Sequence, residues 1–401
     1  MGKDFDLLKD NAIAKYKEKD YRGALIEFEK LKNEYSESFE KSCIFYYLWT
    51  LLFVKVRIKD EEIESNYISF KETVMYILKR VNKGDMLQNL TVMTVVEYLD
   101  RKKNYSPQDL DIWLNKINPS TLNTKSINFK DKNGKNLSMP SQMEEWFSIK
   151  TKTLEKMGNY QECSNFCDLA LNQIPEFHNN NDIWFKRRKA LSLSKLGIID
   201  EPINILKDVL NKKNDWFIQK DIGDIYFKIG KIEEANEYYI DAALNNGPSE
   251  MKIGLFWNLA EVLEQQNKVK ESNLHKKFVI DLRNAKGWKL SGKELEFQIK
   301  NTNQSNKVFD EKKDIKNLRN IWESIKWDTK HKVEGNIDVL LPNGQSGFIV
   351  SEKKRYYFSS KDFKGKKESL QKGNKVSFFI GKGFDKKKNT ESEIAINIKL
   401  M

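Results

Sequence analysis

The chain has 401 residues, with 70 Lys and Arg against 58 Asp and Glu for a formal charge of +12, a length that suggests two or three domains. Its 39% hydrophobic and 12% aromatic content supplies a core and excludes a wholly disordered chain. Three Cys exclude a disulfide framework and fit a reducing compartment, three His (His178, His275, His331) leave little material for His-based metal or triad chemistry, and the basic balance points to an acidic partner, nucleic acid first.

The first ten residues lack a basic start followed by an apolar run, so no signal peptide is expected. The most apolar stretch, CIFYYLWTLLFV at 43–54, has 12 residues. About 20 are needed to span a bilayer, so it reads as a buried helix, with no membrane partner and a cytoplasmic location.

In chain order, residues 8–35 carry Ala12, Asp20, Tyr21, Ala24, Phe28 and Leu31 at helical spacing. Residues 36–146 contain helical stretches at Phe45–Ile58, Phe70–Val81 and Leu90–Asp100. They then contain a polar segment, Asn118–Ser141, which reads as an insertion or lid or as a plain surface loop. Residues 147–175 carry Gly158, Tyr160, Cys163, Cys167, Ala170 and Pro175, and residues 184–210 carry Leu193, Gly197, Ile199, Leu206 and Val209. The clearest segment is Asp215–Pro248, two helices about a turn at Gly230, with Ile222, Gly223 and Tyr226 on one stripe and Ala235, Tyr239 and Ala242 on the other. Residues 256–279 repeat the theme with Leu259, Ala260, Leu263, Val269 and Val279. Tyr160, Ile199, Ile232 and Val269 recur at intervals of 39, 33 and 37 residues.

This pattern of small and large residues on paired helices resembles the tetratricopeptide repeat. The resemblance implies a helical solenoid over 1–290 whose inner groove holds a protein or peptide. Carried over residue by residue, it places Arg187, Lys220 and Trp257 at one equivalent groove position, followed inward by Leu191, Asp224 and Glu261. A cationic and aromatic row of that kind suits an acidic or flexible segment.

Residues 291–330 read as linker and cap. KNTNQSNK at 300–307 is polar, and the stripe of Ile315, Leu318, Trp322 and Ile325 predicts a helix over Phe309–Asp328 that covers the solenoid's last apolar face. The segment 282–290 has no assigned role.

Residues 331–401 change character. Val333–Leu341, 347–350, Tyr356–Phe358, Val376–Ile380 and Ile394–Ile398 are short β-type runs, with Gly381-Lys382-Gly383 among the separating turns. From Lys330 onward there are 16 Lys and Arg against 8 Asp and Glu, so a fifth of the chain holds +8 of the +12. Gly335, the run Asn343 to Ile349, the run Tyr356 to Ser360 and Gln371 to Phe378 resemble, in that order, the landmarks of a cold-shock domain, a five-stranded OB-type barrel. The fold class is therefore multi-domain, α then β: a tetratricopeptide-like superhelix with a C-terminal OB/cold-shock-like barrel. The resemblance implies binding of single-stranded nucleic acid, RNA before DNA, by stacking on Phe348 and Tyr357. Val339, Asp338, Ser346 and Ser359 replace the family's other platform residues. Lys353, Lys354, Arg355, Lys361 and Lys386-Lys387-Lys388 are the candidate phosphate contacts.

Cys163 and Cys167 lie four apart with only His178 as a further ligand, which reads as core packing and not as a metal site. No Walker-type lysine loop, dinucleotide loop or nucleophile–base pair is legible, so no cofactor, no metal and no enzymatic activity are expected.

Overall fold

A computed structural model describes residues 2–102, 104–301, 308–328, 330–342, 344–385 and 390–401. They form two compact units, Met1–Ile229 and Gly230–Met401.

The first unit is built of helices α1 (Gly2–Lys17), α2 (Tyr21–Glu34), α3 (Ser36–Ser42), α4 (Ile44–Leu51), α5 (Asp60–Ser65), α6 (Tyr67–Leu78), α7 (Met86–Arg101), α8 (Pro107–Leu114), α9 (Gln142–Met157), α10 (Tyr160–Gln173), α11 (Asp182–Lys195), α12 (Asp200–Lys212) and α13 (Trp216–Lys228). Neighbours in sequence pack on each other, α1 on α2, α9 on α10 and α10 on α11. Local chemistry sets the boundaries. Asp20 accepts from the Gly23 N–H to start α2, Ser141 accepts from the Glu144 N–H to start α9, and Gly158 closes α9 at φ +77°. The apolar run at 43–54 is a buried helix that passes into one π-helical turn, Leu52–Val56. Cys163 and Cys167 are fully buried on α10.

The polar segment at 118–141 is not plain loop. It carries a two-stranded hairpin, β1 (Ile127–Lys130) with β2 (Asn136–Met139), turned at Gly134. Asp131 accepts from the Asn133 and Lys135 N–H groups and fixes that turn. The apolar–polar alternation in INFK and NLSM spans only four residues each, and the surrounding Asn, Ser and Lys mask it in composition.

The second unit starts with α14 (Ile232–Leu244), α15 (Ile253–Gln265), α16 (Val269–Ala285), α17 (Gly292–Lys300) and α18 (Glu311–Asp328). The buried Lys252 donates to the carbonyls of Ala242, Ala243 and Asn245 and so satisfies the end of α14. In the segment at 282–290, Arg283 pairs with the buried Glu294 at 2.9 Å and donates to the Lys289 carbonyl. Glu294 in turn completes a capping box with Ser291, so this segment ties α16 to α17. Helix α18 packs on α14 and α16. Leu318 and Trp322 are each 2% exposed, and Trp322 stacks on Phe256 with ring centroids 5.4 Å apart.

After α18 come β3 (Lys332–Leu340), β4 (Ser346–Ser351), β5 (Lys354–Ser359), β6 (Lys375–Asp385) and β7 (Thr390–Leu400), closed as a barrel in the order β3-β4-β5-β7-β6. Its interior holds Ile337, Ile349, Phe358, Val376, Phe378, Ala395 and Ile398. Gly335 is needed by that closure, because a Cβ there would stand 2.6 Å from the Val350 carbonyl oxygen. Gly381 and Gly383, expected in a turn, lie inside β6. Their cross-strand neighbours Ile396 and Ile394 cover them, and a Cβ at either would meet an isoleucine carbon at 2.6 Å. Trp327 of α18 stacks on Phe379 of the barrel at 4.7 Å, so one helix contacts both the helical and the β part of this unit.

Candidate functional site

Strand alternation decides which barrel aromatics face outward. Tyr356 and Phe358 point inward and are 6% and 0% exposed, whereas Tyr357 is 41% exposed. Phe348 on β4 is the direct cross-strand partner of Tyr357 on β5. The two rings meet edge to face, 5.6 Å apart at 72°. Val339 stands opposite Phe348 from β3, and Ile394 of β7 pairs with Tyr357 on the other side. The sequence-predicted pair is thus brought together on one outer face of the barrel.

The cations around it divide. Lys353 and Lys361 are exposed and form no ion pair among the described residues. Lys354 pairs with Glu393 at 2.5 Å, a bond that raises its pKa. Arg355 pairs with Asp338 at 2.6 Å and lies 4.5 Å over the Phe348 ring. Asp338 therefore does more than withdraw a positive charge from this face, because it holds a guanidinium on the platform itself. Lys386, Lys387 and Lys388 lie outside the described residues.

In the first helical unit, Arg187 and Lys220 are already engaged. Arg187 bonds Asp221 at 2.5 and 3.2 Å and lies 5.1 Å over Phe217. Burial raises the Asp221 pKa, opposed by the same Arg187. Lys220 pairs with Asp224 at 2.6 Å. The same unit has a pocket of about 440 Å³ lined by residues that include Asp100, Glu145, Lys152, Trp184 and Arg188. Burial raises the Glu145 carboxyl to about 7, with Glu97 and Asp100 adding repulsion. Trp184 and Glu145 had no sequence signal beyond an aromatic and an acid on helix faces. In the second unit, Trp257 donates its indole N–H to Glu261 at 3.1 Å, and Lys293 pairs with the same carboxylate at 2.9 Å. Among the described residues no group of three or more His, Cys, Asp or Glu is arranged to hold a metal, and no helix is long and apolar enough to cross a membrane.

Residues 183–326 match a family described as "Domain of unknown function (DUF7017)". The TPR repeat-containing protein MJ0940 of Methanocaldococcus jannaschii is 31% identical over 93 residues, which span 23% of this chain and 28% of that protein. Among solved structures, MamA (41-end) from Desulfovibrio magneticus RS-1 is 15% identical with TM-score 0.37, over 51% of this chain and 98% of that one. A tetratricopeptide repeat protein from Parabacteroides merdae ATCC 43184 is 12% identical with TM-score 0.36, over 80% of this chain and 98% of that one.

The chain is thus mostly helical and tetratricopeptide-like, followed by a closed five-stranded barrel.

Proposed function

We propose that this protein is a non-enzymatic, cytoplasmic adaptor whose helical part holds a protein partner while its barrel binds single-stranded nucleic acid, RNA in preference to DNA. In this reading residues 1–290 are the solenoid, 291–330 the linker and cap, and 331–401 an OB barrel of the cold-shock type. Arg187, Lys220 and Trp257 mark the protein groove. They would act through exchange of their present partners Asp221, Asp224 and Glu261 for those of a bound segment.

The observation that carries the nucleic-acid reading is the outward Phe348–Tyr357 pair flanked by Lys353 and Lys361. Stacking of unpaired bases is worth about 1–3 kcal/mol per base, and phosphate contacts add a salt-dependent term. Lys354 and Arg355 add cations beside the pair, and Lys386 to Lys388 are proposed as further phosphate contacts from the sequence alone. The absorbance ratio at 260 and 280 nm of the purified chain, before and after a high-salt wash, is the first test. Retained nucleic acid that the wash removes supports the reading.

One observation favours a second reading. Glu393 and Asp338 neutralise two of the flanking cations, as in a barrel that docks only protein. In that case neither single-stranded RNA nor single-stranded DNA binds, and the purified chain carries no nucleic acid.

A further inference from the structure

A second basic surface lies far from the barrel in sequence, at the turn end of the first helix pairs. The turn between α1 and α2 and the chain leaving the π-helical turn Leu52–Val56 together line an open surface pocket of about 660 Å³. Lys19 and Arg22 enter from the first segment, Arg57 and Lys59 from the second. All four are exposed, and none forms an ion pair among the described residues. Some cations elsewhere in this unit are spent, as Arg101 is on Asp60 and Arg187 on Asp221. Lys19 holds φ +67°, a left-handed conformation that glycine adopts at less cost. The π-helical turn is itself a feature enriched at functional sites, and it sets where Arg57 emerges.

We propose that this pocket binds an acidic peptide segment of a protein partner, at a site separate from Arg187, Lys220 and Trp257 and independent of any nucleic acid on the barrel. Three features select peptide over a phosphate backbone. Tyr21 is stacked on Phe53 at 4.4 Å, Phe53 on Trp49 at 5.9 Å, and Tyr16 closes edgewise on Tyr21, so the ring faces are spent on each other and offer no berth for a base. Asp20 and Glu62 interrupt the ring of cations, and carboxylates on flexible side chains can turn away from that interruption where phosphates fixed in a backbone cannot. The surrounding fold is of the helix-pair kind that holds proteins. Forked Arg22 and Arg57 suit bidentate capture of carboxylates.

The test is fluorescence anisotropy of labelled deca-glutamate with the full chain at low salt, against deca-glutamine. The glutamate peptide binds and the glutamine peptide does not. R22E/R57E weakens the glutamate peptide by about tenfold or more, while the equal charge change K30E/K83E, at exposed lysines elsewhere on this unit, has little effect. R22Q/R57Q gives the same ranking should the reversed variant lose its helical circular dichroism. Equal binding of both peptides, or unchanged affinity in R22E/R57E, overturns the proposal. So does an oligouridylate that displaces deca-glutamate and whose own affinity falls more with R22E/R57E than with F348A/Y357A, since the occupant is then nucleic acid.

Discussion

Trp322 donates its indole N–H to Nε2 of the fully buried His275 at 2.7 Å. Since Nε2 accepts, the ring hydrogen sits on Nδ1, which donates to the Glu271 carbonyl at 2.7 Å. This bond joins α18 to α16, and the same helix carries Trp327 against the barrel. Trp322→Phe leaves a buried acceptor unpaired and is expected to cost about 1–3 kcal/mol, whereas Trp322→Ala adds a cavity and costs about 3–5 kcal/mol. Urea unfolding of both variants measures the two values.

Burial lowers the His275 pKa from 6.5 to about 4. The unfolded chain therefore binds this proton more readily than the folded one between those values. Stability is unaffected by this group above about pH 6.5, falls as pH drops through the window, and is lower by about 3 kcal/mol once pH is below 4. His275→Gln removes that titration, so its urea midpoint falls less between pH 7 and pH 4.5 than the wild type's does. Parallel declines contradict the assignment.

In the first unit the buried Lys150 bonds Asp111 at 2.5 Å and Asn115 at 2.8 Å. Asp111→Ala strands a buried ammonium and is expected to cost about 3–5 kcal/mol, while the double change Asp111→Ala with Lys150→Met recovers much of that loss. Chemical denaturation of the two variants is the check.

On the barrel, Asp338→Asn releases Arg355 and removes one negative charge from the platform. Affinity for single-stranded RNA is expected to rise about threefold to tenfold, with the salt dependence steeper by about one counterion. Binding isotherms at several salt concentrations read both quantities.

Much of the fold was legible because period and burial agree. Ala24, Phe28 and Leu31 or Ala235, Tyr239 and Ala242 are buried where helical spacing put them, and Tyr356 and Phe358 face inward where strand alternation put them. The hairpin at 127–139 was not, since two four-residue strands in a polar segment carry little pattern. Gly381 and Gly383 read as a turn because glycine marks both turns and sites of close cross-strand cover, and only the register of β6 on β7 separates the two. Polar partners were the least legible. His275, Lys150 and Lys252 look in sequence like any surface residue, and their burial follows from helices that meet only in three dimensions. Asp338 was noticeable as a lost cation, but not as the residue that seats Arg355 on Phe348.

Stacking of unpaired bases on the barrel is read by anisotropy titration of the full chain with labelled oligouridylate at low and high salt, wild type against F348A/Y357A. Wild-type binding is expected to weaken steeply with salt, with a loss of about tenfold or more in the double variant at either salt. Equal affinity of the two proteins, or no binding by either, contradicts it.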